Sequence, residues 1–530
     1  MKKILILVVA LASVCTAMAQ ETYENAKIAT EDLNGTARYV GMGGAMDALG
    51  ADISTIGTNP AGIGLFRRSV ASVSFGTNTQ QDAVDFAGAN KTRVSFDQIG
   101  FVYSNRWGSD TYVNFAFNYH KSRNFGYILS AQDNLYGVAS QNKLTYAKNK
   151  GDYLYSYEPN GNGYPNIDKS KASCNQLDYL YTLNLLYYND QDNEWDWFYD
   201  NANAYTLDRN HKGYIGEYDF NLSGNVSDRF YWGFTVGYHK VHYKHYGEYV
   251  ENLIGYDLNG NPYNYNILVS DDRKITGEGV DIKAGIIVRP IEESAFRFGL
   301  SVATPTMYDL TTSNVTTMNF DGNNAQSSES LDYKLYTPWK FGVSLGHTIG
   351  QNLAIGAGYE YADYGSLDSR YNTGEGYYDW YYGTYHDNSE SDEIMNRHTE
   401  QTLKGVSTFK VGAEFKPVPE LAVRLGYNYV SPMYNMDGFK DGSLDSDGSY
   451  FSSATDYTDW DATNRITCGL GYQIGGLNLS VAYQYSSTKG EFAPFMSYED
   501  NKYAADDNIC DVVKVNNKRH QLLFTIGYTF

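Results

Sequence analysis

The chain has 530 residues, with 51 Tyr, 24 Phe, 7 Trp and 51 Gly but only 11 Pro. Its formal net charge of −21 argues against a nucleic-acid partner, because the phosphate backbone repels an acidic protein. Beyond the N-terminal segment no run of about 18 apolar residues occurs, which excludes transmembrane helices from the predicted mature chain. Many aromatic residues and glycines at low mean hydropathy are typical of a membrane β-barrel, which needs aromatic girdles around a polar lumen.

Residues 1–19 predict a secretory signal peptide. Two lysines precede an apolar run from Ile4 to Val14, and Ala17-Met18-Ala19 has the spacing of a cleavage site. Cleavage after Ala19 would leave the mature chain with a formal charge of −23, since two lysines and no acids are removed. A lipoprotein signal ending at Cys15 is the alternative, but the residues before it lack the usual pattern.

Residues 20–67 do not alternate, so they predict a compact element ahead of the first strand. Apolar side chains recur there at spacings of three and four, which predicts one face of a helix: Tyr39, Met42, Met46, Leu49 and Ile53. Thr36 is the expected N-cap. Gly43 and Gly44 would weaken this helix, so a close packing contact is expected at them.

A proline turn ends this element. Asn59 should be extended or turned because Pro60 follows it, and Pro60 can begin a short further turn. Ala61 and Gly62 keep that turn narrow. A compact segment before a wide barrel fits inside the lumen, so residues 20–67 are predicted to be a hatch, that is, a plug.

Residues 68–530 predict 14 strands. Six pairs of alternating segments have short turns near 107–110, 227–228, 290–294, 350–351, 417–420 and 475–476, with single strands at 68–76 and 518–530. Long polar loops are expected at the other end, at 77–93, 122–213, 247–272, 306–335, 365–402, 431–462 and 488–517. The predicted fold class is therefore all-β: a 14-stranded antiparallel transmembrane β-barrel with an N-terminal helical hatch in its lumen. A soluble propeller or sandwich is the alternative, but no blade repeat occurs.

The last strand shows the alternation most clearly. Leu522, Phe524, Ile526, Tyr528 and Phe530 share one face, and small or polar residues share the other. A terminal Phe on such a strand resembles the closing strand of bacterial outer-membrane proteins. That resemblance implies recognition of Phe530 by the outer-membrane assembly machinery.

The predicted mature chain has three cysteines. Cys468 falls on the apolar face of a strand and is expected to act as a small hydrophobic residue. Cys174 and Cys510 lie in predicted loops, where they either form a bridge or stay unpaired.

The stretch "ARYVGMGGAMDALGADISTIGTNPAGIGLF" resembles the hatch of FadL-type outer-membrane transporters of long-chain fatty acids and other hydrophobic compounds. That hatch typically reads as a glycine- and alanine-rich helix followed by D-x-S-T-x-x-x-N-P-A-G. The matching positions here are Asp52, Ser54, Thr55, Asn59, Pro60, Ala61 and Gly62.

The resemblance implies passive uptake of hydrophobic molecules, either long-chain fatty acids or aromatic hydrocarbons, across a Gram-negative outer membrane. The substrate would bind at the outer loops, enter a pocket above the hatch, and leave sideways through a gap in the wall once the hatch moves. The gap requires an early kinked strand, for which Gly126 is the only break that the sequence offers. Neither a cofactor nor energy coupling is expected.

Two sets of residues are candidates for this function. The predicted hatch or gate residues are Asn59, Pro60, Ala61, Gly62, Gly43 and Gly44, which form either a hinge or only a structural turn. The candidate landing surface for hydrophobic ligands lies in long loops and comprises Trp195, Trp197, Phe198, Trp380 and Tyr381, for which loop packing is the alternative. Asp52, Ser54 and Thr55 are expected to cap backbone groups.

His239, His242 and His245 raise the alternative of a haem or hydrophobic-ligand receptor. On a strand, His239 and His245 share a face and His242 points away, so the three are expected to be surface residues near the loop rim, with no metal site. A structural or adhesive barrel is a further alternative. Without a G-x-S-x-G motif or a recognisable Ser–His pair, the protein is not expected to be an enzyme. An apolar pocket above the hatch would favour the transporter.

Overall fold

A computed structural model describes residues 21–530 apart from 109, 151–154, 160–164, 168–175, 190–193, 258, 321, 382–383, 442–443, 445, 447–453 and 501. The predicted signal peptide and Cys174 therefore lie outside the described residues. Cys510 is a free cysteine, so the Cys174–Cys510 bridge is wrong and the alternative of an unpaired Cys510 is confirmed. Among the described residues, no helix combines the length and apolar character needed to cross a bilayer.

Fourteen antiparallel strands close into a barrel, as predicted. They are β1 (Val70–Gln80), β2 (Thr92–Arg106), β3 (Tyr112–Asn124), β4 (Ala202–Val226), β5 (Phe230–Tyr256), β6 (Pro262–Val288), β7 (Arg297–Ala303), β8 (Lys340–Ile349), β9 (Leu353–Asp363), β10 (Gly405–Val418), β11 (Leu421–Val430), β12 (Tyr457–Ile474), β13 (Leu477–Ala493) and β14 (Val513–Thr529). Each strand pairs with the next. Closure comes from β14 and β1, which pair from Val70 with Thr529 to Gln80 with Arg519.

Short turns lie at one end of the barrel, at all six predicted places. In the β4–β5 turn, Ser227 and Asp228 both adopt the left-handed backbone conformation, with φ of 52° and 51°. Short polar residues tolerate this conformation better than branched ones do. The tight turns therefore form where the sequence places turn residues.

The outer wall is apolar and the lumen is polar. On β14 the outward side chains of Leu522, Phe524 and Ile526 are about 40% exposed, whereas the inward side chains of Gln521 and Thr525 are 6% and 7% exposed. Cys468 lies on the outward face of β12, as predicted. Large apolar side chains on the outside of a closed barrel are favourable only against lipid, so the soluble sandwich and propeller alternatives are wrong.

The hatch lies inside the barrel, where its residues are largely buried. It contains α1 (Thr22–Ala29), α2 (Ala37–Gly41) and two short 3₁₀ turns at Ile53–Gly57 and Pro60–Leu65. Thr36 caps α2 as predicted, accepting a hydrogen bond from the Tyr39 N–H. The sequence predicts one long helix over residues 36–53. In the structure α2 ends at Gly41, so the prediction is wrong for the residues that follow.

Glycine conformation explains this difference. Gly43 and Gly44 have φ of 64° and 77°, which ends the helix and starts a series of turns. The predicted apolar side chains still meet, because Tyr39, Met42, Met46 and Leu49 pack together around Leu33. Ile53 belongs to a different cluster, with Ile56 and Ile63.

Glycines of the wall let the hatch backbone approach closely. A Cβ added at Gly412 would overlap the Met42 carbonyl oxygen, and one at Gly233 would overlap Pro60. The hatch therefore packs against the wall through its main chain, which accounts for the small residues on both surfaces.

The long connections are more ordered than the sequence predicts. β5 and β6 continue through most of the predicted loop 247–272, and 306–335 forms the hairpin Met307–Phe320 with Asn323–Tyr336. Beyond the membrane both faces of a strand meet polar surroundings, so the alternation fades while the backbone ladder continues. The remaining elements are the strand Tyr127–Ala139, α3 (Gln141–Lys150), the hairpins Tyr155–Pro159 with Pro165–Ile167 and Leu186–Asn189 with Glu194–Trp197, α4 (Gln176–Leu185), a 3₁₀ turn at Tyr364–Ser366, the hairpin Asp368–Asp379 with Thr384–Ser391, α5 (Glu393–Thr402) and a 3₁₀ turn at Ala504–Asp506.

Candidate translocation path

The barrel wall has a break beside β3. This strand ends at Asn124, Phe125 and Gly126 are not in a strand, and the strand Tyr127–Ala139 follows. β2 pairs with β3 only between Gln98–His120 and Arg106–Tyr112. Residues 92–96 of β2 pair with β1 alone, and Asp97 is skipped by that pairing at a bulge. The ladder is therefore missing between residues 92–97 of β2 and residues 121–124 of β3. We call this opening the lateral gap.

The lateral gap faces lipid on its outer side. Val94 and Phe96 on the β2 edge are 85% and 45% exposed. Both side chains continue the apolar outer surface that Ile99 and Phe101 form nearer the turns. A molecule that passed through the gap would therefore first meet apolar side chains on the outer surface.

The hatch closes the lateral gap from inside through residues 32–34, which we call the sealing segment. The Asp32 N–H donates to the Ser122 carbonyl at 2.7 Å, and the Asn124 N–H donates to the Asp32 carboxylate at 2.9 Å. The Asn34 amide donates to Asp97 of β2 and to the Lys121 carbonyl of β3, both at 3.1 Å. The sealing segment thus satisfies the edge of β3 that β2 leaves open.

Arg93 also crosses the lateral gap. Its guanidinium donates to the His211 carbonyl at 2.9 Å and to the Asn210 side chain at 3.3 Å, both on β4. The same guanidinium lies against Gly126, where any Cβ would collide with it. Gly126, the break that the sequence indicates, is therefore where an arginine of β2 reaches across to β4.

A cavity of about 250 Å³ lies between the hatch and the outer loops and extends to β3. Its wall combines apolar and aromatic side chains with charged ones. The first group includes Tyr39, Tyr127, Tyr364, Val430, Met433, Tyr434 and Trp460, and the second includes Lys27, Glu31, Asp32, Arg123, Lys340, Glu360, Lys410, Arg465 and Arg519. The cavity above the hatch is therefore not wholly apolar, and its space suits an amphipathic molecule.

Three arginines surround the carboxylate of Asp32 at the side of this cavity. Arg123 lies 2.9 Å from it and Arg465 lies 4.0 Å from it. Burial raises the pKa of Asp32, but the positive charges of Arg123, Arg519 and Arg465 outweigh this effect and hold that pKa below its ordinary value. One carboxylate among three guanidinium groups leaves an excess of positive charge facing the cavity.

A smaller cavity of about 90 Å³ continues from this cluster towards the lateral gap. It is lined by Asp32 and the three arginines at one end, and by Asp97 and Lys121 at the other. The arginine cluster thus lies between the central cavity and the sealed gap.

The predicted hatch residues lie away from the central cavity. The Asn59 side chain accepts from the Ala61 N–H and donates to the Ile286 carbonyl at 3.5 Å, and Pro60 begins the 3₁₀ turn. A Cβ at Gly62 would overlap the Thr55 hydroxyl. Whether Asn59, Pro60, Ala61, Gly62, Gly43 and Gly44 also act as a hinge stays a prediction.

Asp52 joins two parts of the hatch. Its carboxylate accepts from the Ser54 N–H at 3.0 Å and from the Thr36 hydroxyl at 2.9 Å. The Thr55 hydroxyl donates to the Asp52 carbonyl at 2.8 Å. These three motif residues therefore cap backbone groups, as their types predict.

Among the predicted aromatic loop residues, the three whose side chains the structure describes do not line the central cavity. Trp380 and Tyr381, at the tip of the hairpin 368–391, are 89% and 88% exposed, and the Trp380 ring lies 5.1 Å from the Tyr378 ring between centroids. The choice between a landing surface and loop packing for them stays a prediction. Phe198 is 39% exposed. The side chains of Trp195 and Trp197 lie outside the described residues, so their role stays a prediction.

The histidine expectation is wrong in part. His239 and His245 share a face and His242 faces the other way, as predicted, but the first two are buried in the lumen and are not surface residues. His239 lies 3.1 Å from Asp281, and His245 contacts Asp271. Inward-pointing side chains of a plugged barrel are covered by the hatch, which strand periodicity alone does not reveal.

Sequence reasoning missed the residues of the arginine cluster. Arg465 and Arg519 occupy the polar face of strands whose other face is apolar, on β12 and β14. Charged residues at lumen-facing positions were therefore an available signal. Their convergence on Asp32 was not, because β3, β12, β14 and the hatch meet only in the folded barrel.

Comparisons with known proteins give similarity of fold. No protein-family model and no curated protein sequence matches the chain. Among solved structures, a Pseudomonas aeruginosa FadL homologue is similar over 95% of this chain and 100% of that chain, with 12% identity and a TM-score of 0.49. The Ralstonia pickettii toluene transporter TbuX is similar over 94% and 99%, with 14% identity and a TM-score of 0.46.

The CymD monoaromatic hydrocarbon channel is similar over 94% of this chain and 97% of that chain, with 9% identity and a TM-score of 0.43. Sequence identities of 9–14% do not transfer a substrate from these proteins to this chain.

Proposed function

We propose that this protein is an outer-membrane channel for the passive uptake of hydrophobic molecules that carry an anionic group, with a long-chain fatty acid as the simplest example. The observation that carries the proposal is the sealing segment. Because residues 32–34 occupy the free edge of β3, withdrawing them would connect the central cavity with the lipid beside Val94 and Phe96.

The cavity can hold both parts of such a molecule. Met433, Tyr434 and Trp460 offer apolar surface to an alkyl chain, and each buried CH₂ group contributes about 0.8 kcal/mol. The arginine cluster offers bidentate partners to a carboxylate. A neutral hydrocarbon would leave the positive excess uncompensated, so an anionic substrate is favoured over toluene-like molecules.

Substrate binding and opening would be coupled at Asp32. A carboxylate that enters the arginine cluster competes with Asp32 for Arg123, Arg465 and Arg519. Loss of those partners would weaken the hold of β3 on the sealing segment. The ligand stabilises the open state only to the extent that it binds that state more tightly.

The test is to tether the sealing segment to the wall. In a chain whose native cysteines are replaced by serine, N34C and D97C are joined by a short thiol-specific cross-linker across the lateral gap. Uptake of radiolabelled oleate by cells that lack other fatty-acid uptake is then measured. We expect uptake to fall to background on cross-linking and to return when a cleavable linker is reduced.

The single variants N34C and D97C, treated with the same reagent, are the matched controls. Undiminished oleate uptake in the fully cross-linked protein would refute the lateral path. Equal uptake of oleate and of toluene by the uncross-linked chain would refute the preference for an anionic group.

A further inference from the structure

Three lysines form a row on the outer surface of the barrel, away from the lumen. Lys244 of β5 lies directly opposite Lys212 of β4 on one side and Lys274 of β6 on the other. All three side chains are exposed on the outward face. We call this row the lysine ladder.

The lysine ladder contains no acidic residue within its own row. Like charges directly opposite each other destabilise a sheet, and no described carboxylate lies within ion-pair distance of the three ammonium groups. The next row towards the short turns places His242 opposite Thr276, and Lys240 lies opposite Glu278 one row further on. On the loop side, the exposed Asp272 lies opposite Tyr246 in the row beside the ladder. Within a chain of formal charge −21, three ammonium groups therefore stand in one row without an ion-pair partner, which favours an external anion at that row.

The position of the ladder relates that anion to the membrane. Tyr119, Tyr218 and Tyr238 stand side by side with ring centroids 4.9 and 6.0 Å apart, and exposed Phe220 and Phe234 lie below them. These tyrosines mark the outer interface of the apolar belt. Lys244 is six residues further along β5 than Tyr238. With the rise of a tilted strand, this places the ladder about 15 Å further from the bilayer centre.

This height distinguishes between lipid headgroups. The polar zone of a phospholipid leaflet extends only about 5–8 Å beyond the hydrocarbon. Charged sugars of a glycolipid extend further outward and reach the ladder. A depression of about 300 Å³ between the girdle and the ladder, lined by Lys240, His242, Thr276, Gly277, Glu278 and Asp309, offers hydrogen-bonding groups of the kind that sugar hydroxyls need.

We propose that the outward face of β4–β6 binds an anionic glycolipid of the outer leaflet. Lys212, Lys244 and Lys274 hold the phosphates of its sugar headgroup, and the depression beside His242 and Thr276 receives a sugar ring. This site is independent of the transport path, because its side chains face away from the lumen.

The test compares the wild type with the triple variant K212Q/K244Q/K274Q. Binding of purified rough-type lipopolysaccharide with phosphorylated core sugars is titrated in a mild neutral detergent. The same titration is repeated with its dephosphorylated form, with phosphatidylglycerol and with inorganic phosphate. We expect the triple variant to bind the phosphorylated glycolipid roughly a hundredfold more weakly than the wild type.

The arginine triple K212R/K244R/K274R should keep the affinity, and the charge-matched control K416Q/K502Q/K514Q should bind like the wild type. Heat-modifiable migration on gels confirms that each barrel is folded. Unchanged affinity in the glutamine triple would overturn the proposal. Equal affinity for phosphatidylglycerol or for the dephosphorylated glycolipid would also overturn it, and so would full competition by inorganic phosphate alone at equimolar concentration.

Discussion

Asp32 is the residue on which closure of the lateral gap depends most directly. Its backbone N–H and its carboxylate both bond to the free edge of β3, and the same carboxylate pairs with Arg123. Charged groups in a plugged lumen are stable only when paired. Asp32 therefore holds the hatch against the wall and also keeps the positive excess of the arginine cluster partly neutralised.

Asp32→Asn should loosen the sealing segment. The variant loses the ion pair with Arg123, and a hydrogen bond to a charged group contributes about 1.5–3 kcal/mol. We expect amide hydrogen exchange over residues 30–36 to accelerate about tenfold to a hundredfold, as measured by mass spectrometry. Asp511→Asn, at an exposed loop position, is the control. Unchanged exchange in Asp32→Asn would show that the carboxylate does not hold the segment.

The pH dependence of closure follows from the same carboxylate. Because the folded-state pKa of Asp32 lies below its ordinary value, the stabilisation is complete above the ordinary pKa and is lost as the pH falls through the lowered one. We expect single-channel leak in planar bilayers to stay constant from about pH 8 to pH 5 and to rise only in stronger acid. A leak that rises near neutral pH would assign the seal to another group.

At the scale of elements, the hatch and the wall fit through their backbones. Met42 lies on Gly412 of β10, and Pro60 lies on Gly233 of β5. A hatch held by main-chain proximity depends on small wall residues more than on any one side chain.

Gly412→Ala should displace the hatch. The added methyl group would overlap the Met42 carbonyl, a backbone atom that cannot rotate away, and overpacking of this kind costs about 1–3 kcal/mol. We expect a lower melting temperature by differential scanning calorimetry. Gly108→Ala is the matched control, because its nearest neighbour is the Thr111 Cβ at 3.8 Å. Equal melting temperatures for the two variants would argue against tight backbone packing.

The hairpin 368–391 presents a further element to test. If its tip captures hydrophobic ligands, W380A/Y381A should reduce oleate uptake about twofold to tenfold at low ligand concentration, with little effect at saturation. Stability should not change, since Trp380 is 89% exposed. Trp107→Ala, an exposed tryptophan at the opposite end, is the control. Uptake equal to that of the wild type at every concentration would remove the tip from the path.

At the scale of the whole molecule, the barrel is closed by the last strand. β14 pairs with β13 and with β1, and the Phe530 N–H donates to the Ser69 carbonyl at 2.9 Å. The Phe530 ring is 71% exposed and packs only against Tyr528 among the ring contacts of the described residues. Its side chain therefore contributes little to the finished barrel and remains available to an assembly factor.

Phe530→Ala should therefore impair assembly more than stability. We expect several-fold less folded barrel in the outer membrane, measured by heat-modifiable migration, but normal refolding of the purified chain in detergent. Phe524→Ala, which truncates a lipid-facing ring of the same strand, is the control. A refolding defect as large as the defect in cells would mean that Phe530 acts through barrel stability.

The sequence by itself determined the barrel. Alternation along β14 and along the paired strands identified the lipid-facing side chains, because lipid selects apolar residues at every second position. Turn residues identified the six short connections and, with them, the number of strands. Thr36, Asn59 and Pro60 likewise acted locally, which is why their caps and turns were readable without any tertiary information.

Only the tertiary structure decided where the proposed path runs. The missing ladder between β2 and β3, the closure of that gap by Asp32 and Asn34, and the convergence of Arg123, Arg465 and Arg519 all join segments that are distant in the chain. Gly126 marked the break but could not show what fills it. Periodicity reports the face on which a side chain lies, whereas a site in a plugged lumen depends on which residues the closed wall and the hatch bring together.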